Sequence, residues 1–121
     1  MSGSGMASGS DLRADIDQLI KEAYAVRVKD LSQSISLANR ALELSQALSD
    51  PDVQAKIKNQ LSLFHFIRCD FELSLVYANE ALAQFEKVND LNGIALAKYN
   101  IGSTYYRSDN FSQGLIYMLE S

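Results

Sequence analysis

From Asp11 onward the apolar residues recur at steps of three and four, and no stretch alternates with period two for long enough to make a strand. The pattern predicts helices throughout. A first helix is expected over about 12–28, with Ile16, Leu19, Ile20, Ala23 and Val26 or Arg27 turned inward. Asp30 suits an N-cap, and a second helix should follow over about 31–48. Asp50-Pro51-Asp52 is the clearest punctuation: an N-cap aspartate, then the single proline, in the first turn where its missing N–H costs nothing. The third helix, ending near Cys69, should carry Val53, Ile57, Leu61, Phe64 and Arg68 on one face. Asp70 then caps a fourth, bearing Phe71, Leu75, Ala78, Leu82 and Phe85. Asp90-Leu91-Asn92-Gly93 restarts the pattern for a fifth, with Ile94, Ala97, Ile101, Thr104 and Tyr105, and Ser108-Asp109-Asn110 reads as the turn into a sixth.

These helices repeat with a forty-residue period. Asp30-Leu31 returns as Asp70-Phe71 and Asn110-Phe111; Ser34 as Ser74 and Gly114; Ile35 as Leu75 and Leu115; Asn39-Arg40-Ala41-Leu42 as Asn79-Glu80-Ala81-Leu82. Periods of this size mark stacked supersecondary units that cannot bury their apolar faces alone. The short links make neighbouring helices antiparallel, so the expectation is an all-α protein of three antiparallel hairpins, the last of them truncated at Ser121. The repeats divide the chain at about 11–50, 51–90 and 91–121. Small residues at Ser34, Ser74, Gly114, Ala41 and Ala81 belong where two helix backbones approach closely.

At 121 residues and 47% hydrophobic, the chain has room for one domain and none for an additional catalytic one. Residues 1–10, MSGSGMASGS, lack the cationic start and apolar segment of a signal peptide and read as a disordered leader or cloning scar. A net charge of -4 disfavours nucleic acid and anionic membranes as partners. The longest apolar stretch, 61–67, is interrupted by Ser62 and His65 and falls well short of a bilayer span. The lone Cys69 excludes an internal disulfide and fits a reducing, cytoplasmic setting.

Candidate chemistry is sparse. His65 and Cys69 lie four apart and could share a helix face, but two ligands do not make a metal site. His65 stands where Tyr105 stands one period later, which favours a packing role. Asp50, Asp52 and Asp90 are explained as helix caps. There is no Gly-rich phosphate loop and no Ser-His-Asp constellation, so no enzyme and no cofactor is expected.

The run from Ala97 to Leu115 resembles a tetratricopeptide repeat. Ile101-Gly102 stands for that family's leucine-glycine pair, Tyr105 for its tyrosine, Phe111 for its aromatic and Gly114 for its alanine. The preceding repeat keeps Phe71, Ser74, Ala81 and Leu82, with Leu61-Ser62 and His65 in the other slots. The longer period resembles the long-helix subgroup found in bacterial signalling proteins. The resemblance implies a right-handed α-solenoid whose first helices line a concave groove for a protein or peptide, as the sensory or regulatory part of a larger signalling protein. Its alternative is a structural or dimerisation module for an absent output domain such as a diguanylate cyclase, histidine kinase or DNA-binding domain. On that frame the groove residues are Asn59, Leu63, Phe66, Tyr99, Ser103, Tyr106 and Arg107, with Gln60 and Asn100 at the margins. Phe66 and Tyr106 are equally candidates for filling the interface between successive repeats. The lysines of the family's carboxylate clamps are missing: the corresponding places hold Leu19, Asn59 and Tyr99. The unsealed end at Ser121 invites self-association into a homo-oligomer.

Overall fold

The computed structural model describes residues 9–120. Five helices account for nearly all of them: α1 (Gly9–Ala25), α2 (Leu31–Gln46), α3 (Pro51–Ile67), α4 (Phe71–Lys87) and α5 (Leu91–Glu120). No strand occurs among the described residues. Each helix packs on the next, and α1 and α5 also touch α3, so α3 contacts all four others. Helix α1 begins at Gly9, two residues inside the segment set aside as a leader; residues 1–8 and Ser121 lie outside the described residues.

The aspartates behave as the punctuation predicts. Asp30 accepts from the Gln33 N–H at 3.0 Å, Asp50 from Asp52 at 3.1 Å, Asp70 from Leu73 at 3.3 Å and Asp90 from Gly93 at 3.0 Å, each satisfying an orphan donor of a first turn. Asp52 is the exception: it sits inside the first turn of α3 and pairs with Lys56 at 3.0 Å instead of capping. Just before three of the caps stands one residue in the left-handed region: Ser49 (φ 51°), Cys69 (φ 65°) and Asn89 (φ 56°). The Asp70 and Asp90 N–H groups reach back to the carbonyls of His65 (2.8 Å) and Phe85 (3.0 Å), which closes one helix while the aspartate side chain opens the next. One left-handed residue and one cap thus reverse the chain.

Two apolar clusters form the interior. Ile16, Ala23, Ile35, Ala38, Ala41, Ile57, Leu61 and Phe64 make one between α1, α2 and α3; Ala55, Ala81, Phe85 and Ala97 make the other between α3, α4 and α5. The alanines mark where backbones come close. Ala81 is fully buried against its neighbours, so Ala81→Leu should cost about 1–3 kcal/mol by overpacking. A urea melt showing no loss would contradict this packing.

Close approach is also carried by buried hydroxyls. Ser34 Oγ donates to the Ala23 carbonyl at 2.6 Å, tying α2 to α1. Between α3 and α4, Ser62 Oγ donates to the Ser74 carbonyl at 2.8 Å and Ser74 Oγ to the Ser62 carbonyl at 2.9 Å. Ser74 Oγ also lies 3.0 Å from Thr104 Oγ1, which donates to the Asn100 carbonyl, so the ladder continues into α5. A hydroxyl bonded to a neighbouring carbonyl is small enough for the crossing and leaves no polar atom unmatched.

The sixth helix does not form. Ser108, Asp109 and Asn110 remain helical and α5 runs unbroken to Glu120, so the third hairpin is replaced by one long helix. The side chains of 113–118 lie outside the described residues, so the crossing expected at Gly114 does too. Tyr105, expected inside, is 56% exposed. Arg68, expected on the inner face of α3, is its exposed C-cap.

Candidate functional site

Amides at one repeat position tie α3 to α1 and α5 to α3. Gln60 donates to the Ile20 carbonyl of α1 at 3.0 Å, and Asn100, one period later, donates to Asn59 of α3, to its side-chain oxygen at 2.9 Å and its carbonyl at 3.3 Å. Asn59, expected in the groove, and Asn100, expected at its margin, are thus joined by a hydrogen bond within the chain. Leu63, also assigned to the groove, is half-buried against the larger core cluster.

The other five groove residues meet. Phe66 from α3 and Tyr99, Ser103, Tyr106 and Arg107 from α5 line an open concavity of about 560 Å³, completed by Gly102 and Asn110. Its walls are mainly apolar. The Phe66 ring packs edge-on to Phe71 at 6.4 Å, and the Arg107 guanidinium stands 5.1 Å above its face, a cation–π contact that fixes one wall. Phe71 continues to Phe111 at 6.2 Å, so the straight α5 is pinned where the turn was expected. Phe66 thus helps to fill the interface between α3, α4 and α5 while presenting an edge to the groove. Tyr106 fills no interface: it is 73% exposed, and Tyr99 is 72% exposed. Sequence reasoning did not place Gly102 or Asn110 in the groove: it noted Gly102 only beside Ile101 as a leucine-glycine-like pair and read Asn110 as part of a turn.

His65 is buried and lies parallel to the Tyr77 ring, centroids 5.6 Å apart, while Cys69 is exposed at the following turn. The pair does not converge on a ligand position, and among the described residues no three His, Cys, Asp or Glu gather as metal ligands do. Burial pushes the imidazole pKa below its ordinary value, with Asp70 pulling it up and Arg68 down by smaller amounts. Below about pH 6.5 the unfolded chain takes up a proton that the folded chain resists. Stability should therefore fall as pH drops through that value and level off below the depressed folded pKa. Urea melts between about pH 5 and 8 should show the step in the native chain and not in His65→Tyr; identical profiles would contradict the burial.

A second cluster lies at the start of α3, where Arg13 of α1 reaches it, and extends to the Asp90 cap of α5. Arg13 pairs with Asp50 at 2.9 Å, and its hydrogen bond holds that carboxyl below the usual range. The Gly93 N–H, then Asp52, lower Asp90 likewise, and Asp52 raises Lys56. These carboxylates are engaged with caps and ion pairs, which accounts for them structurally.

No helix among the described residues is long and apolar enough to cross a membrane. Compared with protein-family models, curated proteins and solved structures, the chain matches none.

Proposed function

We propose that the chain is a non-catalytic protein-binding module of tetratricopeptide type. Its helix pairs stack as a right-handed solenoid, and a peptide or amphipathic helix lies in the groove between α3 and α5. Binding there informs another domain of a larger cytoplasmic signalling protein. One observation carries the reading: Phe66, Tyr99, Ser103, Tyr106 and Arg107, named from the repeat register, border a single open apolar concavity. Exposed tyrosines offer large contact area at low entropic cost, and Ser103 and Asn110 supply hydrogen-bonding groups beside them. Apolar anchors with a few polar neighbours suit the face of an amphipathic helix better than a charged terminus.

The test uses helix-forming peptides selected from a displayed library against the chain. Tyr99→Ala combined with Tyr106→Ala should weaken the selected peptides by roughly 100-fold or more, since truncating two aromatic anchors removes hot-spot contacts. Both rings are exposed, so stability should stay within about 0.5 kcal/mol. Undiminished binding by the double variant would refute the groove.

A further inference from the structure

The unbroken α5 presents a strip that faces away from the rest of the molecule. Ala95, Lys98, Gly102, Tyr105, Asp109 and Ser112 are spaced alternately three and four apart, so they share one side of the helix, and all six are exposed. Gly93, Ala97 and Thr104, on the opposite side, are buried. A Cβ added to Gly102 would meet nothing within 4 Å. A strip of the same kind packs against a helix one period earlier. There Ala55, Lys58, Ser62 and His65 meet α4: Ser62 exchanges hydrogen bonds with Ser74, Lys58 pairs with Glu80 at 3.2 Å and His65 stacks on Tyr77. Among the described residues neither Lys98 nor Asp109 makes an ion pair.

The α5 strip is its own complement. Its spacing of three, four, three, four and three reads the same from either end, so an antiparallel copy related by a two-fold axis between Gly102 and Tyr105 sets every member opposite another. In that register Lys98 stands opposite Asp109, Gly102 opposite Tyr105 and Ala95 opposite Ser112, each contact being made twice. The bare backbone at Gly102 leaves a hole that the Tyr105 ring fills, the small-against-large match of closely packed helices. Opposite charges hold the copies in line, where like charges would repel. Moving the axis to lie between Lys98 and Gly102 would set those two residues against each other and lose the charge match, so charge selects the register.

We propose that a second copy of this chain covers the strip, in a two-fold antiparallel dimer made through α5. Ala95 to Ser112 form the whole of the contact, with Lys98 and Asp109 as its charged ends and Gly102 and Tyr105 as its centre. The strip borders the concavity between α3 and α5 and shares Gly102 with it, and the dimer stands whether or not a peptide binds there. Six residues on one helix make a small interface, so the dimer exchanges with monomer and forms at high protein concentration.

Sedimentation equilibrium of the whole chain, at concentrations up to roughly 1 mM, should show monomer exchanging with dimer. Lys98→Asp and Asp109→Lys, each alone, set like charges opposite each other twice per dimer and should weaken association by roughly tenfold or more. An equimolar mixture of the two variants should restore it, because position 98 of each then meets position 109 of the other with opposite charge. The double variant should associate as the native chain does, for the same reason. Tyr105→Ala, which empties the central hole without changing charge, should weaken the dimer by roughly tenfold. All three positions are exposed, so helicity by circular dichroism should not change. A chain that stays monomeric throughout overturns the proposal, as does a dimer indifferent to the single substitutions. A mixture of the two charge variants that associates no better than either alone also overturns it.

Discussion

Phe85→Ala should destabilise the chain by about 3–5 kcal/mol, and Gly93→Ala by about 1–3 kcal/mol, with the pair together costing clearly less than the sum. Phe85 is almost wholly buried among Ala55, Ala81 and Ala97, where α3, α4 and α5 meet. Its ring lies against the backbone of Gly93 in the first turn of α5, and a Cβ there would fall inside the ring, nearer than real Cβ atoms come. Alanine ordinarily stabilises a helix relative to glycine by about 1 kcal/mol, so a loss at position 93 reports the clash alone. With the ring removed, that ordinary preference should return. Chemical denaturation of both single variants and the double closes the cycle. Strict additivity would mean that the ring does not pack on Gly93.

Ser62→Leu and Gly102→Leu occupy one repeat position and should behave oppositely. Ser62 sits in the α3–α4 crossing, bonded to Ser74, and leucine there should cost about 2–4 kcal/mol through overpacking and lost hydrogen bonds. Gly102 faces open space, so leucine there should cost nothing and gain up to about 1 kcal/mol of helix propensity. Equal losses at the two sites would mean that a sixth helix is permanently folded over α5.

The helix starts were legible because each is written locally: an aspartate in front of an apolar run, once with proline behind it. Much of the inner face was legible too, since Ile57, Leu61 and Phe64 follow one helical stripe and are fully buried. The failures share a cause. Ser108-Asp109-Asn110 carries turn-forming residues, but local preferences of this kind are weak against context, and α5 runs through all three. Along the same continuous helix Tyr105 is left exposed and Gly102 lies in the groove wall. Phe66, Tyr99, Ser103, Tyr106 and Arg107, drawn from the repeat register, border one concavity, with Phe66 and Tyr106 one period apart on facing helices. The register does not show that the Asn100 amide donates to Asn59 across α3 and α5. Gly93 resembles any linker glycine in sequence; only the position of the Phe85 ring reveals why a side chain is excluded there.

The proposed binding groove has exposed tyrosines of α5 on one side and Phe66 of α3, under the Arg107 guanidinium, on the other. The most direct measurement is a nuclear magnetic resonance titration of the isotopically labelled chain with a helical peptide selected against it. Binding in the groove should shift the amides of Gly102 and Ser103 and the rings of Phe66, Tyr99 and Tyr106 together, saturably, while the exposed outer positions Ser36 and Arg40 on α2 stay in place. Shifts centred on α2, with Gly102 and Ser103 unmoved, would contradict the assignment.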